Sequence, residues 1–213
     1  MIFSNFSDSR ATISGFSAYR FFVSLTSSSR LKIWPAGSAG LGARASVLFG
    51  LKPQSLFTVW LALNEVTRHN GCMRVIPGSQ HDGTREHVET YDPDNLLSRG
   101  QALQDVDAAA AVDIVLRPGE FSIHHGHVFH SSEPNTSDDR RIGFALMMVP
   151  AHVESTIGRR SATLVSGKDR YGHWDHDPLP TQDRDPVIWQ LMHDADQQYR
   201  NRRSQDAEAA SAT

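Results

Sequence analysis

The chain has 213 residues, 39% of them hydrophobic and 21% charged, with a formal net charge of -3. That length supports one domain with a sizeable core. The near-neutral charge gives no reason to expect nucleic acid, and no apolar run approaches the roughly 20 residues of a membrane span.

Residues 1–50 carry five basic residues, one acidic residue and 11 serines, whereas acidic residues outnumber basic ones in the remainder. This composition break near residue 48 separates a first segment, 1–47, from the rest. The first segment has no sustained period of 2 or 3.6, so poor order is expected there. Its Ser- and Arg-rich, acid-poor make-up loosely fits a transit peptide, although its helical amphipathicity is weak. Cys72 is the single cysteine, which excludes an internal disulfide and agrees with a reducing, cytoplasmic setting.

Regular structure is expected from Leu56. Leu56–Leu63 is an apolar, β-prone run of strand length. Asn70-Gly71 signals a turn, Cys72–Ile76 reads as a strand, and Pro77-Gly78-Ser79 ends it. Residues 80–110 form a long polar excursion with one helical turn near Asn95–Leu103, and a loop of that length is a candidate for substrate selection. Strands follow at Val112–Leu116, Phe121–His124, His127–His130 and Ile142–Val149. Asp185 is placed to cap a helix that begins at Pro186, and residues 201–213 form a polar tail. Short strands joined by Gly, Pro and Asn turns predict an all-β core.

The densest chemistry lies in GEFSIHHGHVFHSSEPNTSDDRR, residues 119–141. Four of the 11 histidines fall there: His124, His125, His127 and His130. Imidazole is the commonest side-chain ligand of iron and zinc, although an isolated histidine is more often a surface or structural group. His124 and His130 share a face if the strand runs unbroken through Gly126. His130 is followed by a polar turn and then by Arg141, whose guanidinium can hold a carboxylate with two parallel hydrogen bonds. A histidine ligand beside an arginine clamp suits an oxygenase that binds iron and 2-oxoglutarate.

TVWLALNEVTRHNGCMRVIPGSQ (58–80) and RPGEFSIHHGHVFHSSEPNTSDDRRIGFAL (117–146) resemble the two signature stretches of the phytanoyl-CoA dioxygenase family, and DRYGHWDHDPLP (169–180) resembles a bacterial branch of it. The resemblance implies a double-stranded β-helix, a cupin-like jelly roll over residues 48–200, incomplete on its N-terminal side and followed by a C-terminal helix. It implies iron(II) and 2-oxoglutarate as cofactors, His130 as the distal iron ligand, Arg141 on the far carboxylate and Trp60 lining the cosubstrate pocket. The implied activity is hydroxylation of a small organic substrate, with no nucleic-acid or membrane partner.

The chain departs from the family where the His-x-Asp motif should supply the other two ligands. Matching the shared Phe49-Gly50-Leu51 places Ala43-Arg44-Ala45 over that motif, and neither alanine can bind a metal. Related halogenases also replace the carboxylate, but they keep the first histidine. His173-Trp174-Asp175 repeats the motif downstream of His130, in the wrong order, and His81-Asp82 lacks the spacing. Two of three ligands are therefore absent, and impaired activity is expected. The alternatives are a non-catalytic cupin-like binding domain, a pseudoenzyme, or a truncated or frameshifted product whose residues 1–47 are foreign.

Overall fold

The computed structural model describes residues 50–82, 106–194 and Gln197, together with the backbone pairing of four further strands, Phe3–Asn5, Phe16–Ala18, His87–Glu89 and Gln101–Leu103. In chain order the strands are β1 (Phe3–Asn5), β2 (Phe16–Ala18), β3 (Leu51–Lys52), β4 (Phe57–Ala62), β5 (Met73–Val75), β6 (His87–Glu89), β7 (Gln101–Leu103), β8 (Val112–Ile114), β9 (Glu120–His125), β10 (His130–Ser132), β11 (Gly143–Pro150), β12 (Glu154–Ser155), β13 (Arg160–Leu164) and β14 (Trp174–His176). The large sheet runs β1-β9-β4-β11-β2-β13-β14, and a small sheet runs β10-β5-β8. The pairs β3 with β12 and β6 with β7 stand apart from both.

Strand β4 is central to the large sheet because its apolar, β-branched and aromatic residues can be covered on both sides. Its register sets Trp60 opposite Ser122 of β9 and Ala145 of β11, Thr58 opposite His124, and Ala62 opposite Gly143. Residues directly opposite share a face. Trp60, Ala62, Ser122, His124 and Gly143 therefore line one face of the large sheet.

That face looks toward the small sheet, because one apolar cluster joins Ala62 to Val75 of β5 and Ile114 of β8, with Cys72, Leu116 and Val128 around them. Two sheets with an apolar filling make the all-β core expected from the turn pattern and fit the cupin-like jelly roll that the resemblance implies. A second cluster, Leu51, Leu56, Val149, Val153, Ala162 and Trp174, fills another part of the barrel. In it the Trp174 indole donates to the Val153 carbonyl at 2.7 Å, so its one polar atom is satisfied on burial.

Several expectations are adjusted. Strands β4, β5, β8, β9 and β11 lie where they were predicted, within a few residues. Residues 127–130 are not one strand: β9 stops at His125, His127 lies in a turn, and β10 begins only at His130. Gly126 donates its N–H to the Leu56 carbonyl at 2.9 Å, and its α-carbon lies against Leu56, so the chain turns there instead of running on. Gln101–Leu103, the end of the expected helical turn, is a strand paired with β6, and the start of that turn lies outside the described residues. Strands β12 to β14 had no sequence-based expectation. Of the segment 1–47, β1 pairs with β9, and β2 pairs with β11 and β13. The remaining residues of that segment, Ala43 and Ala45 among them, lie outside the described residues.

The chain divides into two compact units, Met1–Asp175 and His176–Thr213. In the second, residues 186–194 are helical. Asp185 caps this helix as expected: its carboxylate accepts from Val187 N at 2.9 Å and from the Thr181 N–H and hydroxyl at 2.9 and 2.8 Å. The Thr181 N–H leads the bonds that hold this carboxyl below its usual pKa. No helix among the described residues is long and apolar enough to cross a membrane.

Candidate functional site

Arg141 is positioned by two turns that the sequence signals directly. Asn70 is buried, accepts from Thr67 N at 2.8 Å and donates to the Glu65 carbonyl at 2.8 Å. Gly71 follows with φ +79°, and a β-carbon there would stand 2.6 Å from the Glu133 carbonyl oxygen. Only glycine combines that backbone conformation with so close an approach. The turn presents the Gly71 carbonyl to Arg141 Nη1, which also donates to Ser132 Oγ at 2.8 Å. Beyond Ser132, Asn135 closes the second turn by accepting from Ser137 N at 2.9 Å and donating to the Asp139 carbonyl at 2.7 Å.

The Arg141 guanidinium carbon lies 5.8 Å from the centre of the Trp60 ring, a cation–π distance. Trp60 can occupy this place only because residue 143 is glycine, since a β-carbon there would overlap the indole. Burial lowers the pKa of Arg141, and the thiol of Cys72, when ionised, would oppose that shift. An arginine remains charged under such a shift, so the pocket holds a desolvated cation suited to a carboxylate.

His130 follows from a third turn. Ser79, buried after Pro77-Gly78, donates its hydroxyl to the Ile76 carbonyl at 2.7 Å and accepts from Phe129 N at 2.8 Å. That fixes the chain one residue before His130. The ring places Nδ1 2.9 Å from the Val128 carbonyl. A carbonyl only accepts, so Nδ1 donates and Nε2 carries the lone pair, as in a metal-ready imidazole. Burial lowers the pKa of His130, partly offset by the bond to Val128.

Facing His130 is His124, with ring centres 5.5 Å apart and planes tilted by 52°. The two were expected on one face of a continuous strand. They meet instead across the barrel, His124 from the large sheet and His130 from the small one. His124 is 8% exposed, and burial, then the charge of His130, pushes its pKa down to about 3. Its Nδ1 has no hydrogen-bond partner, and neither has the hydroxyl of Ser122, two residues earlier on the same face. Buried polar atoms without partners are uncommon and point to a missing ligand or water.

The structure sets Trp60 beside Arg141 and His130 beside His124. Ser132, the Gly71 carbonyl, Ser122 and the pairing of His124 with His130 were missed. Alternation along β9 already put Ser122 and His124 on one side, but only the register with Trp60 says that this side is the inner one. His125 is exposed and contacts His127 edge-on at 5.0 Å. The downstream His-x-Asp is engaged elsewhere: Asp175 pairs with Arg159 at 2.8 Å, and His173 stacks on Tyr171. Among the described residues no three His, Cys, Asp or Glu side chains are grouped to hold a metal.

A family model described as phytanoyl-CoA dioxygenase (PhyH) matches residues 42–143. The phytanoyl-CoA dioxygenase domain-containing protein 1 of Danio rerio is 36% identical over 88 residues, 39% of this chain and 29% of that protein. The phytanoyl-CoA dioxygenase of Arabidopsis thaliana is 32% identical over 98 residues, 46% of this chain and 34% of that protein. The chain therefore spans about a third of the length of these curated relatives. The non-heme monooxygenase ThoJ, in its apo form, superposes with a TM-score of 0.69 at 30% identity, over 91% of this chain and 69% of its own. Its nickel complex gives 0.61 at 27% identity, over 90% and 67%.

Proposed function

The chain belongs to the phytanoyl-CoA dioxygenase family, and from that membership we propose that it retains the family's clamp for 2-oxoglutarate but has lost the donor set that makes its iron centre productive. The observation that carries this reading is Arg141, held in place by Ser132, the Gly71 carbonyl and Trp60, in a sequence that matches Ala43 and Ala45 to the family's His-x-Asp motif. By the sequence match, His130 corresponds to the distal ligand, and Ala43 and Ala45 correspond to the other two. Those residues do not fit the family's iron. One imidazole holds a ferrous ion weakly, because several ligands sharing one ordered frame supply most of the affinity.

In this reading Arg141 neutralises and orients the far carboxylate of 2-oxoglutarate, since a charge-assisted pair needs no metal. Trp60 supplies an apolar wall that excludes water on one side. The family's hydroxylation of a small organic substrate is impaired, and the chain acts as a binder of a 2-oxo dicarboxylate. Residues 80–110 are the segment that would select any further substrate.

Succinate release is the test. The purified chain, supplied with ferrous iron, oxygen and 2-oxoglutarate, is expected to release none above background, while calorimetry without metal detects weak 2-oxoglutarate binding. Iron-dependent succinate release by the unmodified chain would overturn the reading. The double variant Ala43→His/Ala45→Asp regains turnover if only the ligands decayed. It stays inactive if the whole upstream segment is foreign.

A further inference from the structure

We propose that His124 and His130 together form a two-imidazole site for a late divalent transition ion, which shares His130 with the family's donor set but takes His124, a residue outside that set, as its second ligand. This deepens the reading above and rests on it only for the loss of the upstream ligands.

The first argument is geometric. Imidazole nitrogen binds such ions at about 2.1 Å. Two rings bound to one ion at an angle between about 90° and 120° then have their centres roughly 4.5 to 5.6 Å apart, given that bond length. The observed separation of 5.5 Å lies in this range, and the tilt of 52° keeps the rings from stacking. The two histidines come from facing sheets, so the site is clamped by the core and does not depend on a loop.

The second argument is the state of the nitrogens. His130 uses Nδ1 on the Val128 carbonyl and keeps the Nε2 lone pair. His124 is buried with Nδ1 unpartnered. A buried ring nitrogen without a partner is destabilising. With a second imidazole 5.5 Å away between ring centres, that unmet capacity is what a shared cation would satisfy.

The third argument concerns selectivity. A pair of neutral imidazoles, with no carboxylate, favours nickel, copper or zinc over iron, both by ligand type and by the usual affinity order of divalent ions. The same chain then binds a cation while failing to place iron for oxygen chemistry. Remaining positions on the ion are left to water.

Ni2+ titration of the tag-free chain, followed by calorimetry and visible absorption, tests the site. One ion per chain is expected, bound at least tenfold more tightly than Fe2+ under anaerobic conditions. His124→Phe, which fills the space without a donor, and His130→Phe are each expected to weaken Ni2+ binding at least tenfold. His125→Phe, a change to the exposed neighbour, should leave it unaltered. The milder His124→Gln covers the case in which a phenyl ring disturbs packing, and metal-free thermal midpoints establish that each variant is folded. The proposal fails if folded His124 variants bind Ni2+ like the parent, if His125→Phe weakens binding equally, or if the parent binds none. Each of these results is separate from succinate release, so loss of this site and failure of the functional reading are told apart.

Discussion

The two ends of the inner face differ in how completely they are satisfied. At the Arg141 end, every group that positions the guanidinium has a partner: the Asn70 and Asn135 turns are closed, Ser132 is bonded, and Trp60 fits because Gly143 makes room. At the histidine end, His124 Nδ1 is buried and unpartnered, as is the hydroxyl of Ser122, which the register sets opposite Trp60 between the two ends. A fully bonded buried network is rigid and specific, whereas a partly bonded one waits for something. The comparison indicates a clamp preorganised for an anion at one end and unmet hydrogen-bonding capacity at the other.

The largest expected effect is on the satisfied end. Replacing Arg141 by Met keeps the length of the side chain and removes the charge. Losing a charge-assisted, partly desolvated carboxylate contact costs on the order of 2–3 kcal/mol, or roughly 30- to 150-fold in affinity. Metal-free calorimetry with 2-oxoglutarate should show that loss, while Ni2+ affinity stays within a few-fold of the parent. Equal damage to both ligands would mean that the two ends are one coupled site, and the comparison would collapse.

Gly143→Ala sharpens the same contrast through packing. Its new methyl overlaps the Trp60 indole and must displace it. Overpacking of this kind costs about 1–3 kcal/mol. A thermal midpoint lowered by several degrees, with anion binding weakened and His124 untouched, is the expected outcome. Unchanged stability would show that Trp60 has another place to go and that the anion end is softer than argued.

The legible and illegible parts of this molecule divide along similar lines. His130 and Arg141 were readable because one histidine-rich stretch carries both, eleven residues apart across a polar turn, and the family resemblance supplied the role of Trp60. Strands β4, β9 and β11 were readable from apolar runs with turn residues at their ends. What alternation alone could not supply was register between strands distant in sequence. Whether Ser122 and His124 face inward depends on β9 pairing with β4 so that Ser122 lies opposite Trp60. Their pairing with His130 depends further on β10 lying in the other sheet. The broken strand at Gly126 was missed because its cause is a tertiary contact with Leu56. Strands β12 to β14 were missed because their residues are polar and short-period, and their burial comes from the cluster around Trp174.

At the unsatisfied end, acid should act on the metal-free fold. Native His124 resists protonation down to about pH 3, whereas an unfolded histidine takes a proton near pH 6.5. The unfolded state therefore binds more protons between those values, so stability is full above about pH 6.5 and falls as pH drops, by up to about 1.4 kcal/mol per unit. The buried His130 adds to the fall in the same direction. Denaturant midpoints of the parent and of His124→Phe, measured at pH 7.5 and 5.5, should differ in their pH dependence, with the variant less acid-sensitive by about 1 kcal/mol. Parallel curves would mean that His124 is already protonated or solvated in the native state, and the dry, unpartnered nitrogen would have to be abandoned.

The smallest effect is expected from Asp175→Asn, which asks whether a distant motif completes the histidine end. His173-Trp174-Asp175 has the right letters for the missing ligands. Its parts are already committed: Trp174 is buried with its indole bonded to Val153, Asp175 pairs with Arg159, and His173 stacks on Tyr171. The Asp175 and Arg159 side chains are both mostly exposed, and such pairs contribute about 0–1 kcal/mol. Asp175→Asn should accordingly move the thermal midpoint by little and leave Ni2+ and 2-oxoglutarate affinities unchanged. A carboxylate that ligated the metal would behave otherwise, since removing one of three ligands weakens binding many-fold whatever the exposure of the pair in the metal-free state. A loss of tenfold or more in Ni2+ affinity on this single change would therefore show that the motif swings in to finish the site. The contrast between a complete anion end and an incomplete metal end would then describe only the resting protein.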